Sequence, residues 1–190
     1  MTKIEIWASG SGSNAEELFE YFKNHPEIEV SGFMTNNPSA KVIERAERLS
    51  CPIALVPMSK MKNGEYLNEL KDKGVDYIIL AGYLKLVSTD IVQNFSNRII
   101  NVHPSLLPKY GGKGMYGHHV HNAVLEAHEK QTGISIHLVN NEFDKGRILA
   151  QFTTGIEKDE SIETLLPKIQ RLEHKFFPMV VEDYILSNQS

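Results

Sequence analysis

The sequence has a single cysteine, no long apolar run and no excess of positive charge. Cys51 cannot form an intrachain disulfide, which favours a reducing compartment. The net charge of −4 gives no electrostatic reason to expect nucleic acid as a partner. The longest apolar run, YIILAGYL at 77–84, is too short to cross a membrane, and Glu5 interrupts the N-terminal apolar stretch, which argues against a signal peptide. We therefore expect a soluble, cytoplasmic protein.

Strand-like and helical periods alternate along the chain. With 190 residues, 41% of them hydrophobic, the chain can form one sizeable core. Predicted strands cover 3–8, 28–35, 53–56, 75–81, 98–102, 133–139 and 148–154. Predicted helices cover 14–23, 38–49 with Asn37 as N-cap, 65–73, 88–95 and 161–186. Strands apolar on both faces and separated by helices are typical of parallel sheets. We predict one α/β domain: an open, twisted, mostly parallel sheet with helices on both faces, a Rossmann-like N-terminal half and a long C-terminal helix.

The turn after the first predicted strand, ASGSGSNAEEL, is rich in glycine and hydroxyl groups. Gly10, Gly12 and Ala15 match the G-x-G-x-x-[GA] dinucleotide pattern. A dinucleotide site also needs an acidic residue at the end of the second strand, where the sequence instead has Thr35-Asn36-Asn37. Backbone N–H groups ahead of a helix suit a single phosphate. A phosphate site is therefore favoured over a dinucleotide site, and a capped turn without a ligand is the alternative.

The predicted strand at 98–102 leads into two polar residues on one face. Asn101 and His103 are two residues apart, so in a strand their side chains point the same way, at the carboxyl end where open α/β sheets bind ligands. An Asn can donate to a developing oxyanion, and a His can move protons near neutral pH. The alternative is structural, with Asn101 capping the loop and His103 bonded to backbone. Ser105 lacks the G-x-S-x-G context of a nucleophile.

These motifs resemble those of a known family. Asn101-Val-His103-Pro-Ser-Leu-Leu-Pro108 is similar to the N-x-H-P-S-L-L-P signature of folate-dependent formyltransferases. The ASGSGSN turn and the EFDKG segment with Asp144 resemble the phosphoribosylglycinamide formyltransferases among them, and the resemblance runs from residue 3 to about 186. It implies an enzyme that transfers the formyl group of 10-formyltetrahydrofolate, its co-substrate, to the amine of glycinamide ribonucleotide in purine synthesis, without a metal.

The resemblance also assigns roles to residues. It makes Asn101, His103 and Asp144 catalytic. The ribonucleotide contacts are Ser11, Gly12, Ser13, Asn14, Gln170 and Glu173, and the folate contacts are Tyr83, Leu84, Lys85, Leu86, Val87 and Asn101. Within a single formyltransferase domain over 1–190, residues 1–100 form the phosphate-binding half and 101–190 the catalytic and folate-binding half. The expected partners are these small molecules, without nucleic acid or membrane, in a monomer or homodimer.

The chemistry of formyl transfer agrees with the catalytic assignment. Attack of an amine on a formyl carbon creates an oxyanion and an ammonium, so one group must donate to the oxygen and another must move a proton. Asn101 and His103 suit these two tasks. Asp144 could orient the imidazole and favour its protonated form. From the residues alone, Asp144 could equally be a turn residue.

Glu173 lies in an apolar stripe of the last predicted helix. The stripe comprises Ile162, Leu165, Leu166, Ile169, Phe176 and Val180. A carboxylate at that position lies either at the edge of the stripe or in a cleft where it meets a polar ligand, and Gln170 stands one turn before it.

Two segments depart from the family pattern. The family often has an Arg before the helix that starts near Glu65, where this chain offers Lys60, Lys62 or Asn63, and a Lys binds carboxylates without the bidentate fork. The segment at 111–124 is longer than in some members, and its glycines suggest a mobile lid. Its histidines could suggest a metal site, but no acidic or Cys partners are evident, so we expect a solvated helix face and no metal; they are His118, His119, His121 and, just beyond, His128.

Other functions stay open from the sequence. One is a related one-carbon enzyme, either a formyltetrahydrofolate hydrolase or a formyltransferase acting on a nucleotide sugar or aminoacyl-tRNA. Known hydrolases carry an extra N-terminal domain and the tRNA enzymes a C-terminal one, and we expect neither in this chain. The remaining alternatives are a non-catalytic nucleotide-binding module and a dinucleotide oxidoreductase, both disfavoured by the Asn101–His103 pair and the missing acid.

Overall fold

Short apolar strands alternate with helices through the first part of the chain. The computed structural model describes residues 1–188. The strands are Thr2–Trp7 (β1), Ile28–Thr35 (β2), Ile53–Leu55 (β3), Tyr77–Leu80 (β4) and Ile99–His103 (β5). The helices are Ser13–Phe22 (α1), Val42–Leu49 (α2), Met58–Lys62 (α3), Glu65–Asp72 (α4) and Thr89–Asn94 (α5). All strand pairs among β1 to β5 are parallel, and Ile4 of β1 pairs with both Val30 of β2 and Tyr77 of β4.

The later elements include an antiparallel strand pair and the longest helix. They are His118–Glu126 (α6), Gln131–Leu138 (β6), Ile148–Gly155 (β7) and Ile162–Ser187 (α7). The sheet order is β3-β2-β1-β4-β5-β6-β7, with β6 and β7 antiparallel. The mostly parallel α/β sheet and the long C-terminal helix are therefore confirmed. The chain divides into two compact units, residues 1–101 and the residues from 102 onward. Of the helices within residues 1–188, none is long and apolar enough to cross a membrane.

The structure differs from the predicted helices in three places. The second helix starts at Val42 rather than Pro38, because Asn37 does not act as an N-cap. Its Oδ1 accepts from the N–H of Ser39 in a local turn, and its Nδ2 donates to the carbonyl of Ser9. Helix α3 was not predicted, and for α6 only a helix face bearing the histidines was expected, without bounds. Helix α3 has five residues, too few for a periodic pattern, and α6 follows the glycine-rich segment that was interpreted as a lid.

A buried carboxylate organises the core of the first unit. Glu5 on β1 is 1% exposed. Its oxygens accept from Trp7 Nε1 at 2.8 Å, the Tyr66 hydroxyl at 2.7 Å and Lys73 Nζ at 3.0 Å. Three donors compensate the cost of burying the charge. Trp7 is thereby fixed, and its ring packs edge-on against Tyr83 with centroids 5.3 Å apart. The core thus supports the start of the segment predicted to contact folate.

Candidate active site

Strand β5 delivers the predicted pair Asn101 and His103 at its carboxyl end. Ile99 and Ile100 are fully buried, Asn101 is half-buried and His103 is 4% exposed. Because the two polar residues are two positions apart in an extended strand, they lie on one face of it. The buried apolar start of the strand fixes its position, and its polar end presents the two side chains that could take part in catalysis.

Both ring nitrogens of His103 have a defined environment. Nε2 lies 2.8 Å from the carbonyl oxygen of Tyr110. A carbonyl can only accept, so Nε2 carries the hydrogen and donates it. Nδ1 lies 3.6 Å from Oδ1 of Asp144. In the neutral ring Nδ1 is therefore the bare nitrogen, and a proton that it accepts would be stabilised by the carboxylate.

Asp144 favours the protonated form of His103, as expected, but burial has the larger effect on the pKa. Burial lowers the pKa of His103 below its usual 6.5, outweighing Asp144 and the Tyr110 carbonyl, which raise it, and His137 lowers it further. The imidazole is consequently neutral at pH 7. It can accept a proton first and donate it afterwards.

Asp144 is held as an anion by several donors. Burial alone would raise its pKa, but His137, His103 and the N–H of Gly112 together lower it below 3.8. Oδ2 accepts from Gly112 N at 2.8 Å, and Oδ1 lies 3.5 Å from Nε2 of His137. The backbone of Asp144 has φ 55°, a left-handed conformation that Asp tolerates better than most residues. The sequence alternative of a turn residue and the functional role are therefore compatible.

His137 is a member of this cluster that the sequence did not identify. It lies on β6, is 2% exposed, and its Nδ1 is 2.8 Å from the carbonyl oxygen of Leu138. Nδ1 therefore donates, which directs Nε2 to Asp144. A histidine between the apolar residues Ile136 and Leu138 of the strand GISIHLV is the one signal that could have indicated it. The cluster of His103, Asp144 and His137 lies within the second unit.

A buried polar network supports the loop that carries the Tyr110 carbonyl. Ser135 Oγ donates to the carbonyl of Ser105 at 2.6 Å and accepts from Leu107 N at 2.9 Å and from Gln151 Nε2 at 2.8 Å. Ser105 Oγ in turn donates to the carbonyl of Lys109 at 2.9 Å. Ser105 is thus a structural residue, in agreement with the absence of a nucleophile motif. The network fixes the acceptor of His103.

The predicted phosphate turn is held by asparagines from the end of β2. Ser9 Oγ donates to Asn36 Oδ1 at 2.7 Å, and Asn37 Nδ2 donates to the carbonyl of Ser9 at 3.1 Å. These amides stand where a dinucleotide site would have its acid, and they serve the turn itself. Gly12 is the N-cap of α1 with φ 74°, and a Cβ there would lie 2.6 Å from Val42 Cβ. The turn therefore requires glycine at this position.

The remaining turn residues lie at the start of α1. Ser11 is exposed, Ser13 opens the helix and Asn14 follows it, both half-buried. Gly12 has no side chain to cap the helix, so the first-turn N–H groups are not satisfied by an N-cap side chain. This arrangement is suited to an anion.

The segment predicted to contact folate alternates between core and surface. Tyr83 is 7% exposed and Val87 is 3% exposed. Leu84 and Leu86 are 43% and 42% exposed, and Lys85 is exposed between them. Exposed leucines two residues apart offer apolar surface that suits a flat aromatic ligand.

Of the three candidates for the family Arg, two are engaged. Lys60 forms an ion pair with Glu69, and Asn63 Nδ2 donates to Glu65 Oε1 at 2.6 Å. Lys62 at the end of α3 is exposed. Its ammonium is therefore the accessible positive charge of this segment.

Helix α7 places Gln170 and Glu173 differently. Apart from Pro178, its buried positions recur every four residues on either side of Glu173; they are Leu165, Ile169, Phe177, Val181 and Ile185. Glu173 continues this series and is half-buried, while Gln170 is exposed. Of the predicted stripe, Leu165 and Ile169 are buried and Ile162 and Leu166 half-buried; beyond Ile169, Phe177 and Val181 replace Phe176 and Val180 as buried positions.

The prediction of a fully solvated histidine face is wrong for one residue. His118, His119 and His128 are exposed, but His121 is 3% exposed. Its Nδ1 has no hydrogen-bond partner among residues 1–188. Burial and, to a smaller extent, electrostatic repulsion from His118 and His103 lower the pKa of His121 to about 4. Within the same described range, no group of His, Cys, Asp or Glu side chains has the arrangement of a metal site. The mobility of the lid stays a prediction.

The mostly parallel α/β sheet, with an Asn-x-His strand end and a buried His–Asp pair, agrees with the class of protein that the sequence motifs indicate. The model of the formyl transferase family matches residues 2–181, and the chain belongs to this family.

More particularly, the chain is similar to phosphoribosylglycinamide formyltransferases. It is 34% identical to that of Bacillus subtilis, an alignment covering 97% of this chain and 95% of the relative. It is 38% identical to the chloroplastic protein of Arabidopsis thaliana over 94% of this chain, but spans only 64% of that protein's length, and 60% of the one from Vigna unguiculata. The crystal structure from Bacillus halodurans matches with a TM-score of 0.86 and 34% identity, covering 99% of this chain and 96% of that one. The resemblance seen in the sequence motifs is confirmed.

Proposed function

We propose that this chain transfers the formyl group of 10-formyltetrahydrofolate to the amino group of glycinamide ribonucleotide, a step of purine biosynthesis. The observation that carries the proposal is the buried His103–Asp144 pair, 3.6 Å apart, at the end of a strand that also bears Asn101. Membership of the formyl transferase family supports it, as do relatives named phosphoribosylglycinamide formyltransferase.

The reaction begins when the amine nitrogen attacks the formyl carbon. A C–N bond forms, the carbonyl electrons move to oxygen, and the amide N–H of Asn101 donates to the resulting oxyanion. The attacking nitrogen is now an ammonium and must lose a proton before the intermediate can collapse forward.

His103 moves that proton. Because burial keeps the imidazole neutral, Nδ1 can accept the proton from the ammonium. The imidazolium is stabilised on one side by Asp144 and on the other by the Tyr110 carbonyl. The proton then passes to N10 of the folate as the oxyanion re-forms the carbonyl and the C–N10 bond breaks, which releases tetrahydrofolate and the N-formylated amine.

The substrate contacts follow the sequence assignments. We assign the ribonucleotide phosphate to the turn Ser11–Asn14, and the rest of that substrate to Gln170 and Glu173. The folate ring is assigned to the segment 83–87 together with Asn101, and its glutamate carboxylates to Lys62. In this scheme residues 1–100 bind phosphate, and residues 101–190 carry catalysis and part of the folate site. A cytoplasmic location is proposed from the single cysteine.

The Lys62 assignment has a simple test. Lys62→Ala should raise the KM for a polyglutamylated folate about two- to tenfold, because one exposed charge contact is lost, while Lys60→Ala should not. Equal effects of the two substitutions would mean that general positive charge, not Lys62, attracts the folate tail.

The activity itself is tested with purified protein, 10-formyltetrahydrofolate and glycinamide ribonucleotide. Tetrahydrofolate release that depends on the ribonucleotide, and is lost in His103→Ala, supports the proposal. Equal release without any amine would indicate a hydrolase instead. Release that requires an amino sugar nucleotide and not glycinamide ribonucleotide would mean that the acceptor is a nucleotide sugar.

A further inference from the structure

Arg45 on α2 contacts the backbone of the predicted phosphate turn. Its Nε donates to the carbonyl oxygen of Ser11 at 2.7 Å, and its guanidinium also pairs with Glu16 in the first turn of α1. The side chain is 29% exposed. No motif in the sequence indicated it.

Donors of helix α2 form hydrogen bonds to two successive carbonyls of the turn. Besides the Arg45 bond to Ser11, the N–H of Val42 donates to the carbonyl of Gly10 at 3.2 Å. In a trans peptide the C=O of one residue and the N–H of the next point in opposite directions. The N–H groups of Ser11 and Gly12 therefore point away from α2. Neighbouring N–H groups with a shared direction form a concave site for an anion.

We infer that Arg45 is a positioning residue for the phosphate of the ribonucleotide, an inference that rests on the proposed function. By holding the Ser11 carbonyl it fixes the direction of the Gly12 N–H, which would donate to the phosphate. Its charge also offsets the Glu16 carboxylate, which lies in the first turn of α1 and would otherwise repel the phosphate. Arg45 does not need to touch the ligand for either effect.

Arg48 provides a matched control. It lies one turn further along α2, pairs with the same Glu16 and is 60% exposed, but its guanidinium does not bond the Ser11 carbonyl. Arg48→Ala therefore removes a positive charge from Glu16 and leaves the turn backbone held. Arg45→Ala removes a charge and the carbonyl bond together.

The first experiment measures steady-state kinetics of both variants. Arg45→Ala should raise the KM for glycinamide ribonucleotide, and the inhibition constant of inorganic phosphate, by about tenfold, the effect of one charge-assisted hydrogen bond. Its kcat and its KM for 10-formyltetrahydrofolate should stay within about twofold of wild type, as should every parameter of Arg48→Ala. Equal effects in the two variants, or no effect in Arg45→Ala, would overturn the inference.

A second measurement needs no substitution at Arg45. In wild-type protein, titration with glycinamide ribonucleotide should shift the backbone amide resonances of Ser11 and Gly12 in a ¹⁵N–¹H spectrum, and inorganic phosphate should shift the same two. Unmoved amides would overturn the inference even if Arg45→Ala failed to fold. Ser13→Asp separates the two proposals: if it leaves ribonucleotide affinity unchanged, the phosphate site itself is misplaced, and if it weakens affinity while Arg45→Ala does not, only the role of Arg45 fails.

Discussion

The cluster around His103 and the turn at Ser11–Asn14, the two proposed sites, are built by opposite means. In the cluster, titratable side chains are removed from water, with His103 and His137 at 4% and 2% exposure. In the turn, Ser11 is exposed, donors of α2 bond the carbonyls of Gly10 and Ser11, and the proposed donors to the ligand are main-chain N–H groups. Proton transfer requires groups whose pKa is set by burial and neighbours. Phosphate recognition requires oriented dipoles, which tolerate contact with water.

The largest loss of activity is expected from substitution of Asp144 in the cluster. Asp144→Asn should lower kcat on the order of 10²–10⁴-fold, because the imidazolium of His103 loses its carboxylate, while folate binding changes far less. The double variant with His103→Ala should lose little beyond His103→Ala alone, since both residues act on one transition state. The measurement is kcat/KM for the four proteins, each checked by circular dichroism.

Two outcomes would contradict this account of the cluster. Multiplicative losses in the double variant would show that Asp144 acts independently of the imidazole. The pH profile gives a second check, since Asp144 raises the pKa of His103 and its removal should shift the acid limb of kcat/KM to lower pH. A shift to higher pH would mean that Asp144 does not contact the group that titrates.

Asn101 should give the next largest effect. Asn101→Ala should reduce kcat on the order of 10²–10³-fold through lost donation to the oxyanion. Asn101→Asp is the isosteric comparison, and it should be at least as damaging because a carboxylate repels the oxyanion. Substrate KM values change less than kcat if the donation develops in the transition state. A raised KM with unchanged kcat would mean that Asn101 binds the substrate in the ground state and does not stabilise the oxyanion.

Burial of His121 should also make the stability of the second unit sensitive to acid. Burial lowers the pKa of His121 to about 4 in the folded state, against about 6.5 in the unfolded state, so the unfolded state binds more protons between these values. The free energy of unfolding should therefore fall by at most about 3 kcal/mol as pH drops from 6.5 to 4, and level off below. His121→Leu should flatten that limb in urea titrations. His119→Leu, an exposed change on the same helix, should leave it intact.

The phosphate turn should respond in KM and not in kcat. Ser13→Asp places a negative charge at the start of α1 and should raise the KM for the ribonucleotide about ten- to hundredfold by repulsion of the phosphate. Folate affinity should be nearly unchanged. Calorimetric titration of both ligands measures this directly, with Ser13→Asn as the neutral control. Equal weakening of both ligands in a folded protein would place the phosphate elsewhere.

The smallest effect is expected at Glu173. Because it is half-buried within the apolar series of α7, Glu173→Gln should raise the KM for the ribonucleotide a few-fold and change the free energy of unfolding by less than about 1 kcal/mol. Gln170→Ala is the exposed comparison on the same helix. A stabilised protein with unchanged kinetics would mean that Glu173 is a core carboxylate without a ligand.

Much of the sheet was predictable because its strands are local apolar runs. The bounds of β2 were predicted as observed, and β5 was displaced by one residue. The start of α2 was not predictable, because the side chain of Asn37 bonds to Ser9, which is 28 residues earlier. A contact at that sequence distance leaves no local pattern.

The site was only partly predictable for a similar reason. Asn101, His103 and Asp144 belong to short motifs, but His137 meets Asp144 from another strand, and its neighbours in sequence are apolar. The Tyr110 carbonyl has no side-chain signature at all. The direction of the His103 pKa depends on burial, which competes with Asp144 and cannot be weighed from residue types alone.

The segment 107–112 has a consequence for protein engineering. The carbonyl of Tyr110 holds His103 and the N–H of Gly112 holds Asp144, two residues apart on one stretch of chain. A Cβ at Gly111 would lie 2.4 Å from Leu107 Cδ2, so a larger residue there would require Leu107 to move. An insertion in this segment would misalign His103 and Asp144 at once, whereas grafting the six residues as a block would carry both alignments to a related scaffold. The smallest transplantable part of this site is thus a piece of backbone, and not the set of side chains that it serves.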